Sequence, residues 1–268
     1  MSPGEEATVE SPGAPPGAPP ALADAVFGAS LPLAVRYAWW LAGAGVERGL
    51  IGPREASRLW PRHLLNCVAV AALIPRGSHV VDLGSGAGLP GIVLAIARPD
   101  LRITLIEPMQ RRIAFLDEVR SDLALPGVET RRARADEFAT AKPGADIVTA
   151  RAVASVDRLA TLAAPLLRAG GRLLALKGSG VAAEVSSGWR AVQRAGMNAD
   201  AALLAVLAAD GDDGSAVSNP ALLPGVRIAE LSTWQPTGLL CEGEAATVPG
   251  LLSSTDPLAV VLRLGRSR

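Results

Sequence analysis

Apolar positions change their period along this chain. From Leu31 to about Gly45, and again from Pro61 to Leu73, they recur at helical spacing. A shorter helical stretch, Pro53 to about Leu59, lies between these two, and Pro75-Arg76-Gly77 closes the second. From His79 onward two periods alternate. Short aliphatic and β-branched runs at His79 to Leu83, Arg102 to Ile106, about Val128 to Arg132, Asp146 to Ala150 and Gly171 to Leu176 predict strands. Helical stretches follow the first, second, fourth and fifth of these: Ile92 to Ala97, Met109 to about Leu123, about Val156 to Leu167, and Gly180 to about Ala195. In the second of these, Ile113, Leu116 and Val119 share one face while Arg111, Arg112 and Arg120 are polar. Alternating strand and helix periods predict an α/β fold with a parallel sheet.

The ends read differently. Residues 1 to 24, rich in Pro, Gly, Ala and Glu, cannot bury enough side chain to offset their ordering entropy and predict a disordered tail. Residues 25–268 then form one domain, with a helical cap over about 31–74. Ala201 to Ala209 reads as strand or helix, and Asp210 to Ser218 as a polar loop. Residues 219–256 hold many turn formers and no clear period, whereas Pro257 to Leu264 reads as a last strand suited to an antiparallel sheet edge.

Composition narrows the class. The chain has 268 residues, 49% hydrophobic and 19% charged, enough to bury a sizeable core. Its formal net charge is zero, so charge argues neither for nor against nucleic acid. Cys67 and Cys241 lie far apart, without metal spacing or a disulfide framework, so no metal is expected. The N-terminal stretch carries Glu5, Glu6 and Glu10 and no apolar core, unlike a signal peptide. Apolar runs fall short of a bilayer span, and a cytoplasmic location is expected.

The chemistry centres on Asp82-Leu83-Gly84-Ser85-Gly86-Ala87-Gly88-Leu89-Pro90-Gly91. A strand, a turn with glycines at 84, 86 and 88, and a helix start make a nucleotide cradle. From Gly86 the letters also fit the dinucleotide pattern, a weak signal alone. Asp82 stands two residues before the first glycine, where it suits an aminoacyl ammonium better than a pyrophosphate. Glu107 ends the second strand, where an acid can accept both ribose hydroxyls. This order favours S-adenosylmethionine over NAD.

Farther on, Arg134-Ala135-Asp136-Glu137-Phe138 follows the third strand. Asp136 there either accepts from an adenine amino group, with the Ala135 backbone meeting a ring nitrogen, or is a solvated loop acid. Arg151 and Lys177 follow the fourth and fifth strands and border the site, or pair with protein carboxylates. Tyr37, Trp39 and Trp40 either stack on bases or pack the cap. His63 and Asn66 share a helical face just before the cradle, where a structural hydrogen-bonding role competes with a catalytic one.

Acceptor chemistry can be sorted by exclusion. Transfer to an exocyclic base amine commonly uses an Asp/Asn-Pro-Pro-aromatic turn, and Thr149-Ala150-Arg151-Ala152 stands in its place. Transfer to pyrimidine C5 needs a nucleophilic cysteine, and neither Cys67 nor Cys241 lies at a strand end beside the cradle. An acceptor with a free lone pair, such as guanine N7, fits better. Arg111, Arg112, Arg131, Arg132 and Arg134 give the cofactor half a local basic density compatible with RNA.

Taken in order, R-H-L-L-N, V-V-D-L-G-S-G-A-G-L-P-G, R-R-I-A-F-L, R-A-D-E-F, T-A-R-A-V-A-S and A-L-K-G resemble the ribosomal RNA small subunit methyltransferase G family, also called glucose-inhibited division protein B. The resemblance covers about Leu31 to Gly178. It implies a Rossmann-like class I S-adenosylmethionine-dependent methyltransferase fold, with a mostly parallel seven-stranded sheet and helices on both faces. It also implies transfer to N7 of a guanine in 16S ribosomal RNA, with the small ribosomal subunit as partner. By motif, S-adenosyl-L-methionine would contact Asp82, Gly84, Gly86, Gly88, Leu89, Glu107, Ala135, Asp136 and Arg151, while Arg151 and Lys177 would orient the acceptor. Many members have Asp where this chain has Asn66, and about 210–256 looks like an insertion between the last two strands. Other readings are a methyltransferase for a small molecule or protein, a non-catalytic ribosome-binding protein, and a dinucleotide oxidoreductase. Intact Asp82, Gly84, Gly86, Gly88 and Glu107 speak against the non-catalytic one.

Overall fold

A computed structural model of the chain describes residues 16–141, 144–178, 180–197, 199–208, 217–218, 226–234, 240–241 and 259–267. The strands are β1 His79–Leu83, β2 Arg102–Ile106, β3 Val128–Arg131, β4 Ala145–Arg151, β5 Leu167–Lys177, β6 Ala199–Ala208, β7 Val217–Ser218, β8 Val226–Trp234, β9 Leu240–Cys241 and β10 Ala259–Gly265. The first five form a parallel half in the order β3-β2-β1-β4-β5. The chain moves outward from β1 to β3, then returns to the other side of β1 with β4. That reversal opens a crevice beyond the carboxyl ends of β1 and β4, where ligands bind in sheets of this type.

Beyond β5 the sheet is antiparallel. The last strand, β10, lies between β5 and β6 and pairs with both, so it sits inside the sheet. The Ala201–Ala209 stretch is a strand, β6, and β8 pairs beside it. Among the described residues the sheet has ten strands where seven were expected, because β7, β8 and β9 extend its far edge. Those three fall within the expected insertion, and the remainder of 210–256 lies outside the described residues.

Alternation along each strand feeds two cores, since successive side chains point to opposite faces. Val80, Ile103, Leu105, Ile147, Leu174 and Val261 face one side. There they meet α1 Ala21–Phe27, α2 Leu31–Trp40, α4 Gly91–Ala97, α5 Gln110–Asp122 and the cap, whose α-helical turn α3 is Asn66–Val68. Val81, Leu83, Ile106, Val148, Leu173 and Leu262 face the other side, against α6 Ala135–Ala141, α7 Val156–Ala163 and α8 Val181–Arg194.

The cap is helical over 31–74 but not continuous. π-helical turns at Leu41–Gly45 and Trp60–Leu65 and 3-10 turns at Pro53–Arg58 and Ala69–Leu73 interrupt it. The helix expected over Pro61 to Leu73 is thus split into π, α and 3-10 turns. Helix α1 begins at Ala21, inside the stretch read as tail, and buries Ala23, Val26 and Phe27. Residues 1–15 lie outside the described residues.

Polar contacts fix the cap to the sheet layer. Arg98, almost wholly buried, donates from Nη1 to the Ala71 and Ile74 carbonyls, 3.0 and 3.1 Å away, at the end of the cap. Its Nε and Nη2 reach Asp100, whose Oδ2 in turn accepts from the Gly77 N–H. Trp40 donates to Asp122 of α5 at 2.8 Å, and Arg48 grips Glu118 with both terminal nitrogens. Tyr37 and Trp40 therefore serve packing, whereas Trp39 is exposed. No helix among the described residues is long and apolar enough to cross a membrane.

Helix α4 approaches β2 closely at Gly91. A Cβ there would lie 2.3 Å from Leu105 Cδ2 and 2.8 Å from Asp82 Oδ2. Gly91→Ala is predicted to lower unfolding stability by about 1–3 kcal/mol through overpacking, read as a lower urea midpoint. An unchanged midpoint would mean that α4 can shift away from β2 without cost.

Candidate active site

The crevice beyond β1 and β4 holds a cleft of about 520 Å³. This lies within the range of small-molecule sites. Leu83 and Gly84 at the end of β1, Ile106 and Glu107 at the end of β2, Ala135 and Asp136 at the start of α6, and Ala152 and Val153 after β4 converge on it. Pro108, Met109 and Leu162 add apolar wall, and Arg112, Arg134 and Arg158 add cations.

The glycine turn takes its shape from backbone bonds to β2. Gly84 and Ser85 both donate to the Ile106 carbonyl, at 2.9 and 3.1 Å, and Gly88 donates back to the Ser85 carbonyl at 2.7 Å. Gly88 has φ +97°, and a Cβ there would lie 2.5 Å from Ile92 Cγ1 and 3.0 Å from the Tyr37 hydroxyl. Only glycine meets both conditions. From beneath, the Tyr37 hydroxyl donates to the Ala87 carbonyl at 2.7 Å.

Glu107 is almost wholly buried, yet borders the cleft. Its Oε2 accepts from the Gly86 N–H at 3.1 Å and its Oε1 from the Met109 N–H at 3.0 Å, with Arg112 Nη1 3.3 Å from Oε2. Two backbone donors thus hold the carboxylate in place, leaving lone pairs for a diol. Across the cleft, Asp136 is exposed beside buried Ala135. Glu137 caps the start of α6 by accepting from the Arg134 N–H at 2.9 Å. Ala152 has φ +53°, a strained conformation for a residue with a Cβ, and lies on the cleft wall.

Of the residues expected to touch a cofactor, Gly84, Glu107, Ala135 and Asp136 line the cleft. Gly86, Gly88, Leu89 and Arg151 are not among its lining residues; Gly86 donates to Glu107 and Leu89 packs partly against the core. Asp82 is fully buried and is not among the residues that line the cleft. Its Oδ2 accepts from the Gly91 N–H at 3.1 Å and its Oδ1 from the Thr149 hydroxyl at 2.9 Å, so it ties β1 to α4 and β4. Burial pushes its pKa up from 3.8 to about 6, against the pull of the Thr149 and Gly91 hydrogen bonds.

The two expected acceptor cations part company. Lys177 Nζ lies 2.8 Å from Glu184 Oε2 and donates to the Ala154 carbonyl, so a protein carboxylate offsets its charge. Arg151 instead reaches into the cap, to the Arg62 carbonyl, His63 Nδ1 and Cys67 Sγ at 3.0, 3.0 and 3.2 Å. Among the described residues no carboxylate pairs with it. Sequence reading named Arg112 only for local basic density, although its place five residues after Glu107 is a usable signal for the cleft, and did not single out Arg158 or Ala152, for which only the fold supplies one. Among the described residues no cluster of His, Cys, Asp and Glu suits a metal ion.

Comparison with known proteins places these residues in context. Residues 30–205 match the GidB family, rRNA small subunit methyltransferase G. Ribosomal RNA small subunit methyltransferase G of Thermobifida fusca (strain YX) is 60% identical over 160 residues, 60% of this chain and 67% of that one. The protein of that name from Arthrobacter sp. (strain FB24) is 53% identical over 174 residues, 65% of this chain and 80% of that one. Among solved structures, precorrin-6y C5,15-methyltransferase from Geobacter metallireducens GS-15 gives a TM-score of 0.45 at 12% identity, over 82% of this chain and 92% of that one.

The Asp82 shift has a sign that can be tested. Between pH 3.8 and about 6 the folded protein holds this proton more tightly than the unfolded chain does. The Asp82 contribution therefore stabilises in acid and is lost as pH rises through that window, by up to about 3 kcal/mol. Unfolding free energy of the wild type minus that of Asp82→Asn should fall between pH 4 and 6. A difference independent of pH would contradict the assignment.

Proposed function

Because the chain belongs to the rRNA small subunit methyltransferase G family, we propose that it transfers a methyl group from S-adenosylmethionine to N7 of a guanine in 16S ribosomal RNA. The observation that carries this reading is the cleft at the strand-order reversal, with a buried carboxylate held ready by the glycine turn. Its donor set fits the cofactor. Glu107 would accept the ribose hydroxyls, Leu83, Ile106 and Leu162 would flank the adenine, and Ala135 and Asp136 would meet its polar edge. When bound, the cofactor supplies a sulfonium methyl group.

Guanine N7 carries no proton at neutral pH, so no general base is required of this chain. What its residues contribute is alignment and exclusion of water. Arg151 suits this task better than Lys177, because neutral acceptors hold it and its charge remains available to a phosphate or to guanine O6. Lys177, paired with Glu184, is assigned to holding the end of β5 against α8. The small ribosomal subunit or its RNA is the proposed partner, and the cytoplasm the proposed location.

Incubation with methyl-labelled S-adenosylmethionine and small subunits lacking their native N7 methyl group is expected to label the RNA. N7-specific chain cleavage should then release that label at one guanine. Cofactor binding without RNA labelling would overturn the substrate assignment. Arg151→Ala is predicted to lose at least about 100-fold in turnover while cofactor binding persists, the scale of lost electrostatic alignment. Unchanged turnover in that variant would remove Arg151 from the acceptor site.

A further inference from the structure

Beyond the cleft, Glu55, His63 and Arg151 form a continuous chain of contacts from the cap to the end of β4. Glu55 stands on the 3-10 turn Pro53–Arg58 and His63 on the turn Trp60–Leu65. His63 is nearly buried, with Nε2 2.9 Å from Glu55 Oε2 and Nδ1 3.0 Å from Arg151 Nη2. A guanidinium only donates, so Nδ1 must present its lone pair. A carboxylate only accepts, so Nε2 must carry the proton. Glu55 thereby selects the one neutral tautomer that can receive Arg151.

We propose that Glu55 is a positioning residue for methyl transfer: through the His63 imidazole it holds the Arg151 guanidinium in the orientation the RNA acceptor requires. This rests on the reading of Arg151 as the acceptor-side cation. Both Nη2 protons are committed, one to His63 and one to the Arg62 carbonyl, while Nη1 donates to the Cys67 thiol. An acid placed directly on Arg151 would orient it and also cancel its charge, as Glu184 does for Lys177. An imidazole between acid and guanidinium transmits the direction without that cancellation.

The relay has a built-in acid limit. Protonated His63 would turn an N–H toward Arg151, donor against donor, and the contact would open. The charged and titratable groups around the ring are Glu55 and Arg62 from the cap and Arg151 from β4. Cys67, the other side-chain partner of Arg151, is a thiol pushed up to about 11 by burial, and stays neutral. Burial first, then Arg151, holds the His63 pKa below the ordinary histidine range, against the raising effect of Glu55. Turnover should therefore be flat through neutral pH and fall only once the solution is more acidic than that range.

The test compares kcat and KM for small-subunit RNA across pH in the wild type, Glu55→Ala, Glu55→Gln and Arg151→Ala, with cofactor binding measured alongside. Glu55→Ala is expected to lose about tenfold in kcat with cofactor affinity retained, the low end of what loss of an orienting partner costs. Glu55→Gln keeps an oxygen for Nε2–H and should recover most of that loss. Without the carboxylate, His63 is harder to charge, so the acid limb of Glu55→Gln should move to lower pH. A merely structural Glu55 would not move that limb, and an unmoved limb overturns the relay even if Glu55→Ala fails to fold. Full kcat in Glu55→Ala, with Arg151→Ala inactive, overturns the relay and leaves the reading of Arg151 standing. Full turnover in Arg151→Ala removes the reading itself, and the relay with it.

Discussion

A buried carboxylate near the end of the central strand ties together the elements on either side of the glycine turn. Asp82 takes the first N–H of α4 with one oxygen and the Thr149 hydroxyl of β4 with the other. Three elements that meet at the strand-order reversal are thereby locked to one another. An acid in this position is costly, as its raised pKa records, and two directed donors offset that cost. Removing either donor would leave a buried group partly unsatisfied, which is worse than never burying it. Close to this point the Gly86 N–H holds one oxygen of Glu107, and β4 leads into the strained Ala152.

The same acid shows where sequence reasoning reaches its limit. The strands at His79–Leu83 and Arg102–Ile106 were legible to the residue, because β-branched runs end at glycine, proline or charge. The apolar face of α5 was legible too, since Ile113, Leu116 and Val119 recur at helical spacing, whereas helices on both faces were implied by the family resemblance. An acid two residues before a glycine turn was visible, but whether it faces ligand or protein depends on Thr149, which is 67 positions away and close only after folding. The sheet beyond β5 was obscure for another reason. Its strand β6 is rich in alanine, which has little preference for strand, and its partner β8 arrives through residues without a clear period. The breaks in the cap reflect tertiary packing overriding a helical pattern.

Charge placement separates the two cations that the sequence could not rank. Both follow parallel strands on the ligand side of the sheet, and both were expected to border the acceptor. One carries its own counter-ion from α8, and the other is held by a carbonyl, an imidazole and a thiol. A cation held by neutral groups keeps its field for a ligand. The cap thus does more than cover the sheet: Tyr37 supports the glycine turn from one side while His63 and Cys67 orient Arg151 from another.

The central claim is that the cleft beside Glu107 is the cofactor site, with that carboxylate receiving the ribose. Calorimetric titration of S-adenosylmethionine into the wild type and Glu107→Gln tests it most directly. The wild type should bind, and the variant, under conditions where it is folded, should bind about tenfold or more weakly, as loss of a charged acceptor requires. Equal affinity in both proteins would contradict the account.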